Sequence, residues 1–481
     1  MTPEKIQLGK ALFFEEQLST DDTVACATCH LPDAGGGDLR AAASIRAPGT
    51  DGLMGTLDDE FGSFGVVAQD GSGNFEHSST FGSGRQVTGR SSPSVIGAAF
   101  FNTQFWDSRA RPDFRDLEGN VVLPQFASLE SQAVGPPVSA VEMGHAQRTW
   151  DEITTKLARV RPLALASDLP AALEDFLGSA TTYSPLFERV FGDATITRER
   201  IAMAIATYER TLVADQTPFD LGTMTPEEQL GFDVFNRARC QTCHPASNGL
   251  FSDGRMESID LPNHRREVKT PTLRNVGLKK RLMSSGQMQS IAIVLQHYQQ
   301  IGLFTPAVGE VGALREFLEH ALTDPRVAAR QPPFDRPTLA SERTPPGSNL
   351  FGVATRGTDR ITPVILADTP SFLGNPAFKI GLGASLGGTE ATLFVSTRMA
   401  DPGATLLGVP LAVDPPFDLY KQFIVPRTLP GRGVATFRMS LPSSTSMLGL
   451  DFYAQWFVRD PGAANGVSAT RAASFELFGR P

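Results

Sequence analysis

Apolar residues near the start of the chain recur at helical spacing. Leu8, Ala11, Leu12 and Leu18 fall on one face, with Phe13 and Phe14 between them. The pattern predicts a helix over residues 1–30. Residues 224–244 repeat the plan: QLGKALFFEEQLSTDDTVACATCH and EQLGFDVFNRARCQTCH both run Leu-Gly, then Phe, then a cysteine pair. This weak duplication predicts two similar helical lobes in tandem. Residues 33–92 are rich in Gly, Ser, Ala and Asp without periodicity. They read as a long irregular loop region, either over the first cysteine pair or a surface insertion. Helical patterning returns over 93–215, clearest in IAMAIATYERTL at 201–212, and again in ALREFLEHAL at 313–322. The stretch VAARQPPFDRPTLASERTPPGSN then holds five prolines and reads as a linker or wrapped strap. From about Leu350 the period falls to two. Ala435, Phe437, Met439 and Leu441 share one face, as do Phe452, Ala454, Trp456 and Val458. Such short runs between Gly and Pro predict a β-sandwich with a structural or partner-binding role.

The chain has 481 residues, 41% hydrophobic and 20% charged, which suits a soluble protein of about three domains. A net charge of −9 argues against nucleic acid as a partner. No run of 18 apolar residues offers a membrane span. The opening MTPEKIQLGKALFF shows no basic segment followed by an apolar one.

All four cysteines fall in two copies of one pattern, Cys26-Ala27-Thr28-Cys29-His30 and Cys240-Gln241-Thr242-Cys243-His244. Two thiols at this spacing can add across the vinyl groups of a porphyrin, and the next imidazole can then bind the iron. A zinc half-site or a thioredoxin-like pair explains the cysteines but not the histidine after each pair. The expectation is two covalent haem c groups. Attachment of this kind takes place outside the bacterial cytoplasm, so a periplasmic or extracellular location is expected, with a leader removed. The expected fold is mainly α: two tandem cytochrome c-like haem lobes, residues 1–215 and 216–335, followed by a β-sandwich at 350–481.

Four stretches in order, LGKALFFEEQLSTDDTVACATCH, SPSVIGAAFFNTQFWDSRA, LESQAVGPPVSAVEMG and VKTPTLRNVGL, resemble the bacterial dihaem cytochrome c peroxidase and MauG family over roughly residues 5–325. The resemblance does not cover the β region. It implies that His30 holds a peroxidatic haem and His244 an electron-transfer haem. It makes Glu142 the distal carboxylate that shuttles a proton between the oxygens of hydrogen peroxide, and Gln132 the amide that orients it. Glu142 alone would read as a solvated surface residue. Trp106 matches the tryptophan between the haems, and Arg109 and Arg274 match positions able to pair with haem propionates.

Two departures point within the family. Ordinary peroxidases carry a plugging histidine where this chain has Gly82-Ser83-Gly84, although His77 lies nearby. The second haem's distal methionine is replaced, twelve residues beyond Gly286, by Tyr298, as in MauG-type proteins. His297, Met283 and Met288 compete with it. An oxygen ligand stabilises higher iron oxidation states than sulfur does. The resemblance thus implies a MauG-type enzyme whose two haems reach a high-valent state with peroxide and oxidise a protein or small redox substrate. Arg237, Ala238 and Arg239 precede Cys240, where MauG-type oxidation of a partner uses a tryptophan, so the exit route is open. The resemblance also implies a calcium ion near Ser91, Lys279 and Arg281. The rivals are a conventional cytochrome c peroxidase and a dihaem electron carrier.

Overall fold

The computed structural model describes residues 1–40, 45–49, 51–258, 267–305, 307, 309–345 and 347–479. Helix α1 spans Pro3–Phe13; Thr2 caps it, its hydroxyl accepting from the Lys5 amide. The helix stops at Phe13 rather than running on to residue 30. The next residues, Glu15, Glu16 and Gln17, are buried and polar, and each needs a partner. Glu15 accepts from the Leu163 amide and the Tyr183 hydroxyl at 2.7 Å each. Glu16 accepts from the amides of Ala340 and Ser341. Leaving the helix turns both carboxylates inward to these donors.

Residues 33–92 contain more order than their composition suggests. Strands β1 (Phe64–Val67) and β2 (Arg85–Val87) pair antiparallel. Helices α2 (Ser128–Ala133) and α3 (Arg198–Glu209) follow. A first apolar cluster gathers Leu8, Leu12 and Phe13 of α1 with Ile201, Ile205 and Tyr208 of α3. The two helices cross at Gly9, where a Cβ would lie 1.9 Å from the Ala204 carbonyl oxygen.

Helices α4 (Pro226–Arg237), α5 (Ile291–Gln300) and α6 (Glu310–Glu316) surround a second cluster that includes Val234, Phe235, Phe251, Leu295, Leu314 and Phe317. The chain widens into a π turn at 317–321 instead of continuing as an α-helix to residue 322. Here α4 crosses α6 at Gly231, whose Cβ would lie 2.0 Å from the Ala313 carbonyl oxygen. The Leu-Gly pair repeated in the sequence therefore marks two equivalent crossings. The proline strap does not stay with the second cluster: Val327, Phe334 and Leu339 are buried in the first. Arg336 ties it down through Asp33 and Glu342.

The C-terminal region holds strands β3 (Leu350–Phe351), β4 (Val364–Leu366), β5 (Phe378–Ser385), β6 (Glu390–Ser396), β7 (Leu419–Ile424), β8 (Gly433–Met439), β9 (Asp451–Arg459) and β10 (Val467–Glu476). One antiparallel sheet runs β7-β6-β9-β10-β3 and the other β8-β5-β4. Their inner faces share one apolar cluster, the arrangement of a sandwich. Phe452, Ala454, Trp456 and Val458 all point into it, as their alternation predicts. With 28% of residues helical, the chain is not mainly α. Much of the haem-motif region is turn and loop, held by polar side chains rather than by helix. Among the described residues no helix is long and apolar enough to cross a membrane.

The sandwich sits on the excursion between β1 and β2. Lys379 donates to the Gln69 side chain at 2.6 Å and to the Gly73 carbonyl at 3.1 Å. The Phe75 amide donates to Thr436, the Ala384 amide donates to Ser83, and Arg85 pairs with Asp368.

Candidate active site

The first cavity, about 320 Å³, is lined by Cys26, Cys29 and His30 together with Trp106, Arg109, Gln132 and Glu142. Residues far apart in sequence thus meet at one site. The His30 ring is held through Nδ1 by the Pro93 carbonyl at 3.0 Å, which leaves Nε2 for a metal. Burial pushes its pKa down to about 4, with Lys279 adding to the effect, so the imidazole is neutral. Glu142 is half-buried, and burial raises its pKa against the opposing pull of Arg109. Its turn rests on the ribbon: a Cβ at Gly65 would lie 1.7 Å from the Val141 carbonyl oxygen, and Gln86 donates to the Ala140 carbonyl at 2.6 Å. Arg109 stacks over Phe105 at 3.5 Å and pairs with Asp107 at 2.9 Å. Neither Ser83 nor His77 lines this cavity.

The second cavity, about 160 Å³, is lined by Cys240 and His244, with Cys243 directly before His244 in the chain. His244 Nδ1 is held by the Phe251 carbonyl at 2.7 Å. Of the residues weighed as its sixth ligand, Tyr298 and Met283 line the cavity; His297 and Met288 do not. Trp106 lines both cavities. It is 8% exposed, and its Nε1 donates to the Ser91 carbonyl at 2.7 Å.

Residues 3–228 match the family model of the di-haem cytochrome c peroxidases. This part of the chain resembles the dihaem cytochrome c peroxidase and MauG family. It is 28% identical to the methylamine utilization protein MauG of Methylophilus methylotrophus over 323 residues, 62% of this chain and 73% of that one. It is 27% identical to the cytochrome c peroxidase Ccp of Escherichia coli over 331 residues, 63% of this chain and 55% of that one. A crystal structure of a MauG-like protein associated with microbial copper homeostasis aligns with 69% of this chain and 93% of its own at 20% identity and a TM-score of 0.45.

The family implies two c-type haems, and the residues present fit them. The first cavity has both thiols of its motif and a neutral imidazole in its wall, the second has Cys240 and His244, and burial raises all four thiols. Arg274 is not brought to either cavity. Its guanidinium pairs with both oxygens of Asp220 at 2.7 Å and donates to the Ala214 carbonyl. Ser91 borders the first cavity and Lys279 and Arg281 the second; a calcium ion there would be held by the Ser91 hydroxyl and the backbone carbonyls of Lys279 and Arg281, beside two cationic side chains. The buried Lys279 ammonium donates to the Ser92 carbonyl at 2.9 Å, which puts a positive charge at the junction. Glu209 of α3 lines the first cavity and was not singled out from the sequence. The signal was a glutamate four residues after Ile205, on the buried face of the helix.

Proposed function

We propose that this dihaem peroxidase is of MauG type: hydrogen peroxide reacts at the first cavity, and its oxidising power is shared with the second and drawn from a protein or small redox substrate. The observation that carries the reading is the shared wall. Trp106 borders one cavity holding Glu142 and Gln132 and another holding Tyr298. Bound haems would supply an iron for peroxide and a second site for oxidising equivalents. Glu142 takes a proton from one peroxide oxygen and returns it to the other, so that water leaves. Gln132 orients the peroxide by hydrogen bonding. Arg109 favours the charged carboxylate in which Glu142 starts and ends the shuttle. Trp106 passes electrons, with its ring fixed by Ser91. Tyr298 would hold the second iron through its phenolic oxygen, together with His244. The three apolar clusters are the cores of two haem lobes and of the sandwich, with boundaries near residues 215 and 350 and the strap of Val327, Phe334 and Leu339 returning to the first lobe. The protein works outside the cytoplasm, where such haems are attached.

Met283 favours the second reading, a conventional peroxidase with sulfur on the second iron, because it lines the same cavity. Mixing resting, fully oxidised protein with peroxide separates the two. The MauG type reacts at once, and Tyr298→Phe abolishes the long-lived product while both haems stay attached. A protein inert until half-reduced, with Mössbauer spectra unchanged in Tyr298→Phe, is the conventional enzyme. No reaction in either state leaves an electron carrier.

A further inference from the structure

The end of α3 carries a carboxyl group that the chemistry above does not use. Glu209 follows Ile201 and Ile205 on the helix face that is otherwise apolar. It is 4% exposed and lines the first cavity beside Cys26 and Ile205. Its Oε2 has no hydrogen-bond partner among the described residues. An ionised carboxylate left in that state costs several kcal/mol, so the neutral acid is favoured. Its surroundings agree. Burial raises its pKa to about 8; Glu130 adds to the rise and Arg210 opposes it. Arg210 is spent on Glu130 of α2 through two bonds of 2.8 and 2.9 Å. Lys5 of α1 acts on that pair, while Cys26 faces Glu209 from the haem motif. Glu142 is the cavity's other carboxyl group.

We propose that Glu209 is the proton-holding residue of the peroxide cavity, supplying the protons that complete reduction consumes while Glu142 only shuttles. The proposal rests on the peroxidase reading above. Glu142 moves one proton between the peroxide oxygens and ends as it began. The full reaction, H2O2 + 2 H+ + 2 e− → 2 H2O, takes up further protons, and its electrons come from the protein or small redox substrate. Glu209 gives up its O–H proton as the remaining oxygen is carried to water. It is then refilled from solvent at the Glu130–Arg210 end of α3. An acid of ordinary pKa would be empty at neutral pH and could not serve.

The test uses haem-loaded protein. In Glu209→Gln, peroxide produces the first absorption change at the wild-type rate. The return to rest with a one-electron reductant slows about 100-fold and loses its fall above neutral pH. Acid-minus-alkaline infrared difference spectra lose a protonated-carboxyl band in Glu209→Gln and keep it in Glu142→Gln. An unchanged return rate and pH profile, or an unchanged infrared band, overturns the proposal. If Glu209→Gln fails to load haem, Glu209→Asp keeps the acid one methylene back: a shifted pH limb supports the proposal and an unshifted one overturns it. If wild-type protein never reacts with peroxide, the peroxidase reading falls, and the infrared band still decides whether Glu209 holds a proton.

Discussion

Replacing Gly231 by alanine puts a methyl group where α4 touches α6. The new Cβ would lie 2.0 Å from the Ala313 carbonyl oxygen and 2.7 Å from both the Ala313 carbonyl carbon and Phe317 Cβ. Cβ contacts under 3.0 Å essentially never occur, so the helices must part by about 1 Å. Two of the three blocking atoms are backbone, and no rotamer change relieves them. Overpacking costs ~1–3 kcal/mol, and the backbone contact sets it near the upper end. Alanine's better helix propensity returns ~1 kcal/mol. The net loss is about 2 kcal/mol, roughly a 30-fold shift in the local opening equilibrium. Its effects fall on the second cavity. Phe317 packs on Phe219, Phe232, Phe235 and Phe251 with ring centroids 5.3–6.3 Å apart. Phe235 lines that cavity, and Phe251 holds His244 through its carbonyl. The assay is a guanidinium titration of haem-loaded protein, with each haem followed by its own EPR signal. In Gly231→Ala the native EPR signal of the His244 haem is lost at lower denaturant while that of the His30 haem keeps its midpoint. Gly9→Ala, whose Cβ would meet the Ala204 oxygen at 1.9 Å, gives the reverse. Equal shifts at both haems, or none, would refute two separately packed crossings.

Glu142→Gln slows the peroxide step by about 10²–10⁴-fold in stopped flow. The step needs the carboxylate to accept a proton, and burial raises its pKa. The wild-type rate therefore falls as pH drops through a value above the ordinary 4.5, and this limb is absent in the variant. Trp106→Phe removes the donor to the Ser91 carbonyl and costs about 1–3 kcal/mol at the junction. Peroxide still changes the first haem's spectrum, but the second haem responds late, which rapid-freeze EPR detects. Lys379→Met leaves the Gln69 and Gly73 oxygens without their ammonium and lowers the thermal midpoint. Burial lowers the Lys379 pKa from 10.5 to about 8, so between those values the unfolded chain binds more protons and stability rises with pH. Lys269 and Lys279 are also lowered to about 8, so calorimetry shows that rise reduced, not abolished, in the variant.

Chemistry carried by contiguous residues was legible in the sequence. The two cysteine pairs and their histidines are complete within five residues each, and the structure puts all of the first motif's ligating side chains, and Cys240 and His244 of the second, in cavity walls. Trp106, Gln132 and Glu142 could be named from motif order, but only the fold shows them on one cavity. Tyr298 followed from counting along a helix, and Met283 stayed a rival because a loop side chain has no periodicity to exclude it. Arg274 misled because its sequence does not show Asp220, which accepts from both terminal nitrogens of its guanidinium. Glu209 was hidden inside a helix read only for its apolar face. The end of α1 was invisible because buried carboxylates at Glu15 and Glu16 override the apolar pattern, and their partners lie some 150 and 325 residues away.

The same lesson decides what residues 33–92 and the β region are for. By composition, the loop is either a cover for the first haem motif or an idle insertion. The structure makes it a strut. One end of the ribbon supports the turn bearing Glu142, through Gly65 against Val141 and Gln86 to Ala140. The excursion between its strands is clamped to the sandwich by Lys379, Thr436, Ala384 and Asp368. Ser83, of the Gly82-Ser83-Gly84 stretch, is buried at that clamp, and its hydroxyl accepts from the Ala384 amide at 2.9 Å. Neither Ser83 nor His77 lines the first cavity from there. The sandwich therefore bears on the first cavity from a distance: it holds the ribbon that supports the turn of Glu142, and Ser83 stays at the clamp, outside the cavity wall.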